Sequence, residues 1–384
     1  MALLMRGFHQ SSLGCFKKGD LEMIHPEYIN LDKTKRTIVI SDIHGSLTLF
    51  QCLLEKVNYT NEDYLFINGD LCEKGKNSLE TVEFVQKLTE QSAKVFVTKG
   101  NCDVLFRHVF EGNEGILAYM KKQKHSILNE MLQNHAKSID DFSIAAEIAV
   151  HYRTNSRKKI EWLESLPVAF ETDEHIIIHA GIENKKDWKQ TSETSALQMQ
   201  AFYEKGHQSG KTVIVGHWPA VNYRTNKISS HNPLIDKGKK IIALDGGNQI
   251  KREGQLNALI WENGEYDHIY TDELSEARTV QKDYIDTTNS VGTVTYPNYE
   301  MRRIKENKYF TLCENRNLGL QQWIKNEYLI TENDMTWCRN DLSTTFLSVE
   351  KGDIVWVVDD ACEGFALIKN DNGEIGWIPK EVFA

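Results

Sequence analysis

The chain lacks the basic excess that a nucleic-acid surface needs: 45 Lys and Arg stand against 55 Asp and Glu in 384 residues, a formal net charge of -10. Polyanion binding shows as a basic patch or a high pI, so a nucleic acid polymer is not an expected partner. Small phosphorylated substrates survive this exclusion, because a bound divalent cation outweighs surface charge locally. Also missing is any C-x-x-C pair. The seven cysteines (15, 52, 72, 102, 313, 338, 362) are odd in number and scattered, which speaks against a zinc or redox motif and fits a reducing compartment. No apolar run approaches the roughly 20 residues of a membrane span. The opening MALLMRGFHQSSLGCFKKGD has neither the basic start nor the continuous apolar core of a secretory signal. These absences predict a cytoplasmic chain with no membrane partner, long enough for two or three domains.

What is present begins with short Val/Ile-rich runs: TIVI (37–40), YLFI (64–67), KVFVT (94–98), EHIIIH (174–179), TVIVG (212–216) and KIIAL (240–244). Their length and β-branched content predict buried strands, and the charged periodic stretch 104–165 predicts helices, giving a layered α/β domain. Residues 1–35 read as an N-terminal extension, 36–270 as this α/β domain, and the polar 271–289 as a connecting helix or linker. Beyond it, alternating strands with turn signals predict small all-β barrels. GLQQWIKNEYL (319–329) and GEIGWIPKEVF (373–383) superpose at an offset of about 54 residues, which suggests duplicated modules, one at 290–332 and one at 335–384.

The strand ends carry the chemistry. TIVI runs into Asp42 and His44, YLFI into Asp70, KVFVT into Asn101, while EHIIIH ends on His179 and TVIVG runs into His217. Open α/β sheets place ligands at the carboxyl ends of strands. Two Asp, one Asn and three His make a mixed oxygen and nitrogen set suited to Mn, Fe or Zn, with too little carboxylate for calcium. Gly45, Gly69, Gly100, Gly181 and Gly216 beside them permit tight turns and close backbone approach.

The ordered motifs D-x-H-G, G-D, G-N-x-D, H-A-G and G-H over roughly 36–265 resemble the calcineurin-like metallophosphoesterases. EWLESLP (161–167) and IALDGG (242–247) resemble the phosphoprotein-phosphatase branch and its bacterial diadenosine tetraphosphatase relatives. The resemblance implies an α/β fold, a β-sandwich flanked by helices, and two divalent metal ions, Mn2+ first and Fe or Zn as alternatives. It implies Asp42, His44 and Asp70 on one ion and Asp70, Asn101, His179 and His217 on the other, with Asp70 bridging. A hydroxide bridging the ions would then attack phosphorus in line. The expected activity is hydrolysis of phosphomonoesters, first as a protein phosphatase. A symmetrical dinucleoside tetraphosphatase or a phosphodiesterase is the alternative, and an inactive scaffold with binding modules is the alternative of another class.

Departures from the family pattern bear on substrate. G-D-x-x-D-R-G stands here as GDLCEKG (69–75), so Lys74 replaces a phosphate-gripping arginine by a point charge. G-N-H-E stands as GNCD (100–103), so Cys102 replaces the histidine that protonates the leaving group, with Asp103 after it. Asp70, Asn101, Lys74, Cys102 and Asp103 form the expected catalytic set. Proton donation to a leaving group is commonly worth about 100- to 10,000-fold in rate, so good leaving groups suffer least from this exchange. Lys99, Arg107 and Arg224 are further phosphate-contact candidates. His108, His125, His135 and His151 read as surface or packing residues, and Asp245, Gln255 and Asn257 as parts of a strand-turn-strand closing the sheet. At the C-terminus, KGD (351–353) and GWIPKEVF (376–383) resemble an SH3-like barrel, which implies a peptide or protein partner as one use of the module and a structural appendage as the other.

Overall fold

A computed structural model describes residues 23–384; Cys15 and the expected extension up to residue 22 lie outside the described residues. The chain divides into two units, one holding the described residues up to Trp218 with Pro233–Thr271, the other holding Pro219–Asn232 with Asp272–Ala384.

The strands of the first unit are β1 (Glu27–Tyr28), β2 (Thr37–Ile40), β3 (Tyr64–Asn68), β4 (Val95–Thr98), β5 (Ala169–Glu171), β6 (His175–Ile178), β7 (Thr212–Val215), β8 (Leu234–Asp236), β9 (Ile241–Ala243), β10 (Gln255–Glu262) and β11 (Glu265–Asp272). All six runs expected as strands are strands. They fall into two sheets, ordered β11-β10-β2-β3-β4 and β1-β5-β6-β7-β9-β8. Side chains alternate between faces along a strand, and the burial follows that rule. Val39 and Phe66 from one sheet meet Ile177, Ile214 and Ile242 from the other in a single apolar layer. Their neighbours Ile38, Ile40, Leu65 and Ile67 point the opposite way, into a core shared with the helices. A strand covered on both faces reads as a continuous apolar run, which is why these segments show no polar alternation. Each such side chain contributes about 1.5–3 kcal/mol on full burial.

The helices are α1 (Leu47–Lys56), α2 (Ser78–Gln91), α3 (Phe106–Phe110), α4 (Gly115–Lys122), α5 (Ile127–Gln133), α6 (Ala145–Asn155), α7 (Arg157–Ser165) and α8 (Glu193–Gln198), followed by the single turn α9 (Phe202–Lys205). The stretch expected to be helical is α3 to α7. Among the described residues no helix is long and apolar enough to cross a membrane. The six cysteines among them are free thiols.

The second unit is all-β: β12 (Ala277–Thr279), β13 (Thr293–Val294), β14 (Glu300–Glu306), β15 (Phe310–Asn315), β16 (Gln321–Lys325), β17 (Leu329–Glu332), β18 (Met335–Cys338), β19 (Leu342–Ser343), β20 (Ile354–Asp359), β21 (Phe365–Lys369) and β22 (Ile375–Pro379). Residues 271–289, expected as a helix or linker, instead supply β12, which pairs antiparallel with β20. Their polar composition conceals one apolar anchor, Val280, which is buried among Val355, Ala366, Ile368 and Ile378. The expected cut at 335 also fails, because β18 pairs with β14 and β17 in the sheet β16-β15-β14-β18-β17. The superposed sequences do share element order: β15-β16 and β21-β22 are hairpins, each followed by a 3-10 turn. Gly319 and Gly373 both take left-handed backbone at their turns, with φ of +66° and +73°. The two hairpins share one core, in which Met301, Phe310 and Ile324 lie with Leu367, Ile375 and Trp377.

Into this unit runs the segment Pro219–Asn232, which leaves the first unit directly after Trp218. It is held by Gln322 Nε2 on Thr225 O (3.0 Å), Ser229 N on Thr345 Oγ1 (3.1 Å) and Asn232 Nδ2 on Asn372 O (2.8 Å). Trp377 is fully buried and its indole N–H donates to Ser343 O at 2.9 Å. Trp377→Ala removes a large packed ring and orphans that carbonyl. It is expected to destabilise this unit by about 3–5 kcal/mol, read as a lower denaturant midpoint; an unchanged midpoint would contradict the shared core.

Candidate metal centre

The strands β2, β3 and β4 run parallel to one another, and so do β6, β7 and β9. Parallel pairing gathers carboxyl ends on one side of each sheet, and the expected ligands follow those ends within a few residues. Their backbones are unusual. Asp42, His44, Asp70 and His217 have φ of 58°, 50°, 51° and 64°, left-handed values that cost non-glycine residues about 1–3 kcal/mol each. A backbone mesh offsets this cost: Asp42 N donates to Gly69 O (3.2 Å), His44 N to Asp70 O (2.9 Å) and Gly45 N to Leu71 O (2.8 Å). Cys102 N donates to Asp70 Oδ1 at 2.8 Å, and His217 N lies 3.1 Å from each Asp42 carboxylate oxygen. The loops approach so closely that a Cβ on Gly100 would stand 2.2 Å from Asp70 N and Oδ1.

The six side chains converge. His44 Nε2 lies 4.0 Å from Asp42 Oδ1 and 3.8 Å from Asp70 Oδ2. On the other side of the same carboxylate, His179 Nε2 lies 3.4 Å from Asp70 Oδ1 and 3.0 Å from Asn101 Oδ1. One ligand atom each of Asp70, His179 and His217 fall within 4.8 Å of one another. Asp70 therefore faces both groups.

Carbonyls behind the rings orient them. His44 Nδ1 sits 3.3 Å from Cys72 O and His179 Nδ1 sits 3.0 Å from Asn68 O. A carbonyl only accepts, so this network assigns the proton to Nδ1 and leaves an Nε2 lone pair facing inward. His44 Nε2 is buried with no hydrogen-bond partner, and the His179 lone pair faces two acceptor oxygens. Acceptors that converge in a dry interior are costly where donors are few, and a cation would satisfy them. The donor chemistry fits a pair of divalent ions.

Electrostatics agree. Burial pushes His44 down to about 4, so the ring stays neutral at physiological pH. Burial, with Asp245 and Asp70 nearby, pushes Asp42 well above the usual carboxylate range. Burial works the same way on Asp70 and is opposed by whatever charge His179, His44 and His217 carry and by the Cys102 N–H, which together hold that carboxyl below its ordinary value. His175, away from the site, is likewise pushed down to about 4 by burial. Burial pushes Asp103 and Asp245 the opposite way, up to about 7, so between pH 7 and 4 the carboxylates and the histidines change stability in opposite directions. An NMR titration of the metal-free chain should find the His44 and His175 rings still neutral at pH 5, where unfolded histidine, at about 6.5, is charged. Charged rings at pH 5 would contradict their burial.

The other expected site residues divide. Lys74 is half-buried with its ammonium 5.7 Å from the centre of the Tyr119 ring. Its charge helps hold the His44 proton off, and among the described residues no carboxylate forms an ion pair with it. Cys102 is buried beside Asn101, whose Nδ2 lies 3.6 Å from its sulfur, and burial pushes its thiol well above the ordinary range. Asp103 is a tie between loops: Oδ1 accepts from Leu71 N (2.8 Å) and Oδ2 from Gly100 N (2.8 Å). Glu73 is fully buried and accepts from Tyr119 Oη, Ser126 Oγ and Ile127 N at 2.6–2.9 Å, so it anchors the start of α5. Lys99 and Arg107 are engaged by Glu164 and Glu193, which removes them as phosphate contacts. Arg224 lies in the second unit, its Nη2 on Asn232 O at 3.2 Å.

Two residues at the site were not expected there. Asp245 follows β9 by two residues, is fully buried, accepts from Gly247 N at 2.7 Å through Oδ1, and leaves Oδ2 without a hydrogen-bond partner. Asn248 donates through Nδ2 to Ile43 O at 2.8 Å, between the two expected ligands Asp42 and His44. The signal was available for Asp245: an acid after KIIAL obeys the same strand-end rule as the six expected ligands.

Residues 35–261 match the model of the calcineurin-like phosphoesterase family. The chain belongs to that family. Members of that family are phosphoesterases that use a two-metal centre. The curated relatives include a symmetrical bis(5'-nucleosyl)-tetraphosphatase of Vibrio campbellii, 29% identical over 38% of this chain and 44% of that protein. The asymmetrical bis(5'-nucleosyl)-tetraphosphatase PrpE of Bacillus subtilis is 24% identical over 54% of this chain and 84% of its own length. The matches to the first symmetrical relatives span under half of those proteins. Among solved structures, a protein serine/threonine phosphatase from Saccharomyces cerevisiae aligns with a TM-score of 0.40 at 11% identity, covering 65% of this chain and 84% of that one.

Proposed function

We propose that this calcineurin-like phosphoesterase cleaves phosphoanhydride bonds of dinucleoside polyphosphates, with aryl phosphates such as phosphotyrosine peptides as its second substrate class. Cys102 carries the reading. Buried, and with its thiol pushed well above the ordinary range, it holds its proton too tightly to pass it to a departing oxygen. A leaving phosphate, with a second pKa of about 6, departs without that help. A phenol at about 10 needs it less than a serine or threonine alkoxide does. The tetraphosphatase names of the relatives point the same way, so the phosphoprotein chemistry expected first from the sequence takes second place to its alternative.

Two divalent ions, Mn2+ first and Fe or Zn as alternatives, would be held by Asp42, His44 and Asp70 and by Asp70, Asn101, His179 and His217. When bound they supply charge stabilisation at phosphorus and acidify a water nucleophile. The chain's own residues do the rest. Neutral His44 presents a fixed lone pair, His179 Nε2 faces Asp70 and Asn101, Asp70 faces both positions, and Lys74, without an ion pair among the described residues, offers a point charge to a phosphoryl oxygen. Asp103 holds the two loops that carry Asp70 and Asn101 in register.

The test is turnover of the manganese-loaded chain on diadenosine tetraphosphate, phosphotyrosine, phosphoserine and phosphothreonine peptides, and an aryl phosphodiester, with Asp70→Asn as the inactive control. The dinucleotide should exceed the phosphoserine peptide by at least about 100-fold in kcat/KM. Lys74→Ala should raise KM about tenfold. Preference for phosphoserine would overturn the leaving-group argument. Silence on every substrate with both ions bound would instead make the domain a scaffold.

A further inference from the structure

From the turn after β9 we infer that Asn248 is a positioning residue for the His44 limb of the metal centre. The loop Asp42–Gly45 carries two ligands in left-handed backbone, separated only by Ile43. Its peptide groups are tied mainly to their own sheet: Asp42 N, His44 N and Gly45 N reach the Gly69–Leu71 loop after β3, His44 O accepts from Gly75 N (2.9 Å) and Gly45 O accepts from Asn77 N (3.1 Å). Ile43 O accepts locally from Ser46 N at 3.1 Å. The second hydrogen bond to that carbonyl comes from the other sheet, through Asn248 Nδ2 at 2.8 Å.

The Asn248 tie is well braced. Leu244 N on Val215 O (2.8 Å) fixes the end of β9 against the end of β7, which leads to His217. Gln255 N donates to Gly246 O at 3.0 Å and Asn257 Nδ2 to Leu244 O at 2.9 Å, so the turn 244–248 is held from β10 as well. Asn248 is itself buried, at 2% exposure. Together with the His217 N–H on the Asp42 carboxylate, its amide fastens the limb that brings Asp42 and His44 to the strand ends that bring His179 and His217. A donor amide is required: the carbonyl it meets can only accept. Without it the Ile43 peptide can rotate, and Asp42 and His44 lose their common orientation. Groups behind the ligands that fix their orientation commonly govern metal affinity by about 10- to 100-fold.

This inference rests on the six-ligand reading of the centre, and its test separates the two. Mn2+ binding is measured by equilibrium dialysis on the full chain, on Asn248→Ala and on Asn248→Asp, which keeps the shape and replaces the donor by a second acceptor. Native-state hydrogen exchange is followed at the Ile43–Gly45 amides. Asn129→Ala is the control, because that buried amide likewise bonds backbone carbonyls, Met120 O at 2.9 Å and Gln123 O at 2.8 Å, on the helical side. The expected result is two ions in the parent chain and in Asn129→Ala. In both Asn248 variants one of the two ions should bind at least tenfold more weakly, with faster exchange at Ile43–Gly45 and with turnover recovered by excess Mn2+. Unchanged affinity for both ions in both variants would overturn the role of Asn248 alone. Fewer than two ions in the parent chain would overturn the centre and the inference together.

Discussion

Asp70 is a carboxylate with almost no water, set among three histidines, and the rest of the catalytic unit is arranged so that it can stay charged there. Burial acts to neutralise it, and the hydrogen bond from the Cys102 N–H acts to keep it charged. The same carboxylate accepts the Cys102 N–H, faces His44 through one oxygen and His179 through the other, and so joins two groups of side chains drawn from two sheets. Because both sheets run parallel where it matters, three strands of each deliver their ends to one place. The strain of four left-handed residues is the local consequence of bringing six side chains so close. The mesh of loop hydrogen bonds, with glycine where Asp70 crowds Gly100, is what sustains it.

Much of this was legible in the residues. A strand buried on both faces must be apolar throughout, so TIVI, YLFI and their counterparts announced themselves, and a polar residue directly after such a run has few other reasons to be there. All six expected ligands converge on one site. Less legible was anything that depends on how hydrogen bonds are spent. Lys99 and Arg107 look like free cations in the sequence but are consumed by Glu164 and Glu193. Glu73 and Asp103 look like family carboxylates and serve as loop anchors. Asp245 was passed over because a turn between two strands gave it a sufficient structural role, Asn248 in the same turn drew no reading of its own, and only the unpartnered Oδ2 of the one and the Nδ2 bond of the other show a second role.

The C-terminal half repeats the lesson with boundaries. Its alternating strands and its repeated hairpin were visible, but the boundaries expected at 289 and 335 do not hold, each undone by a single anchor. Val280 pulls a charged segment into a barrel core, and β18 completes the neighbouring sheet. Nor does composition reveal that the chain, directly after Trp218, passes into this unit and is hydrogen-bonded there by Gln322, Thr345 and Asn372 before it returns to supply β8.

The central claim is that one carboxylate serves two cations. Electron paramagnetic resonance of the full chain titrated with Mn2+ reads this most directly, because ions that share a ligand couple their spins. The account predicts two ions per chain and an exchange-coupled spectrum at saturation, collapsing to isolated-ion signals in Asp70→Asn. A saturated parent chain that shows one ion, or two uncoupled ions, would contradict it.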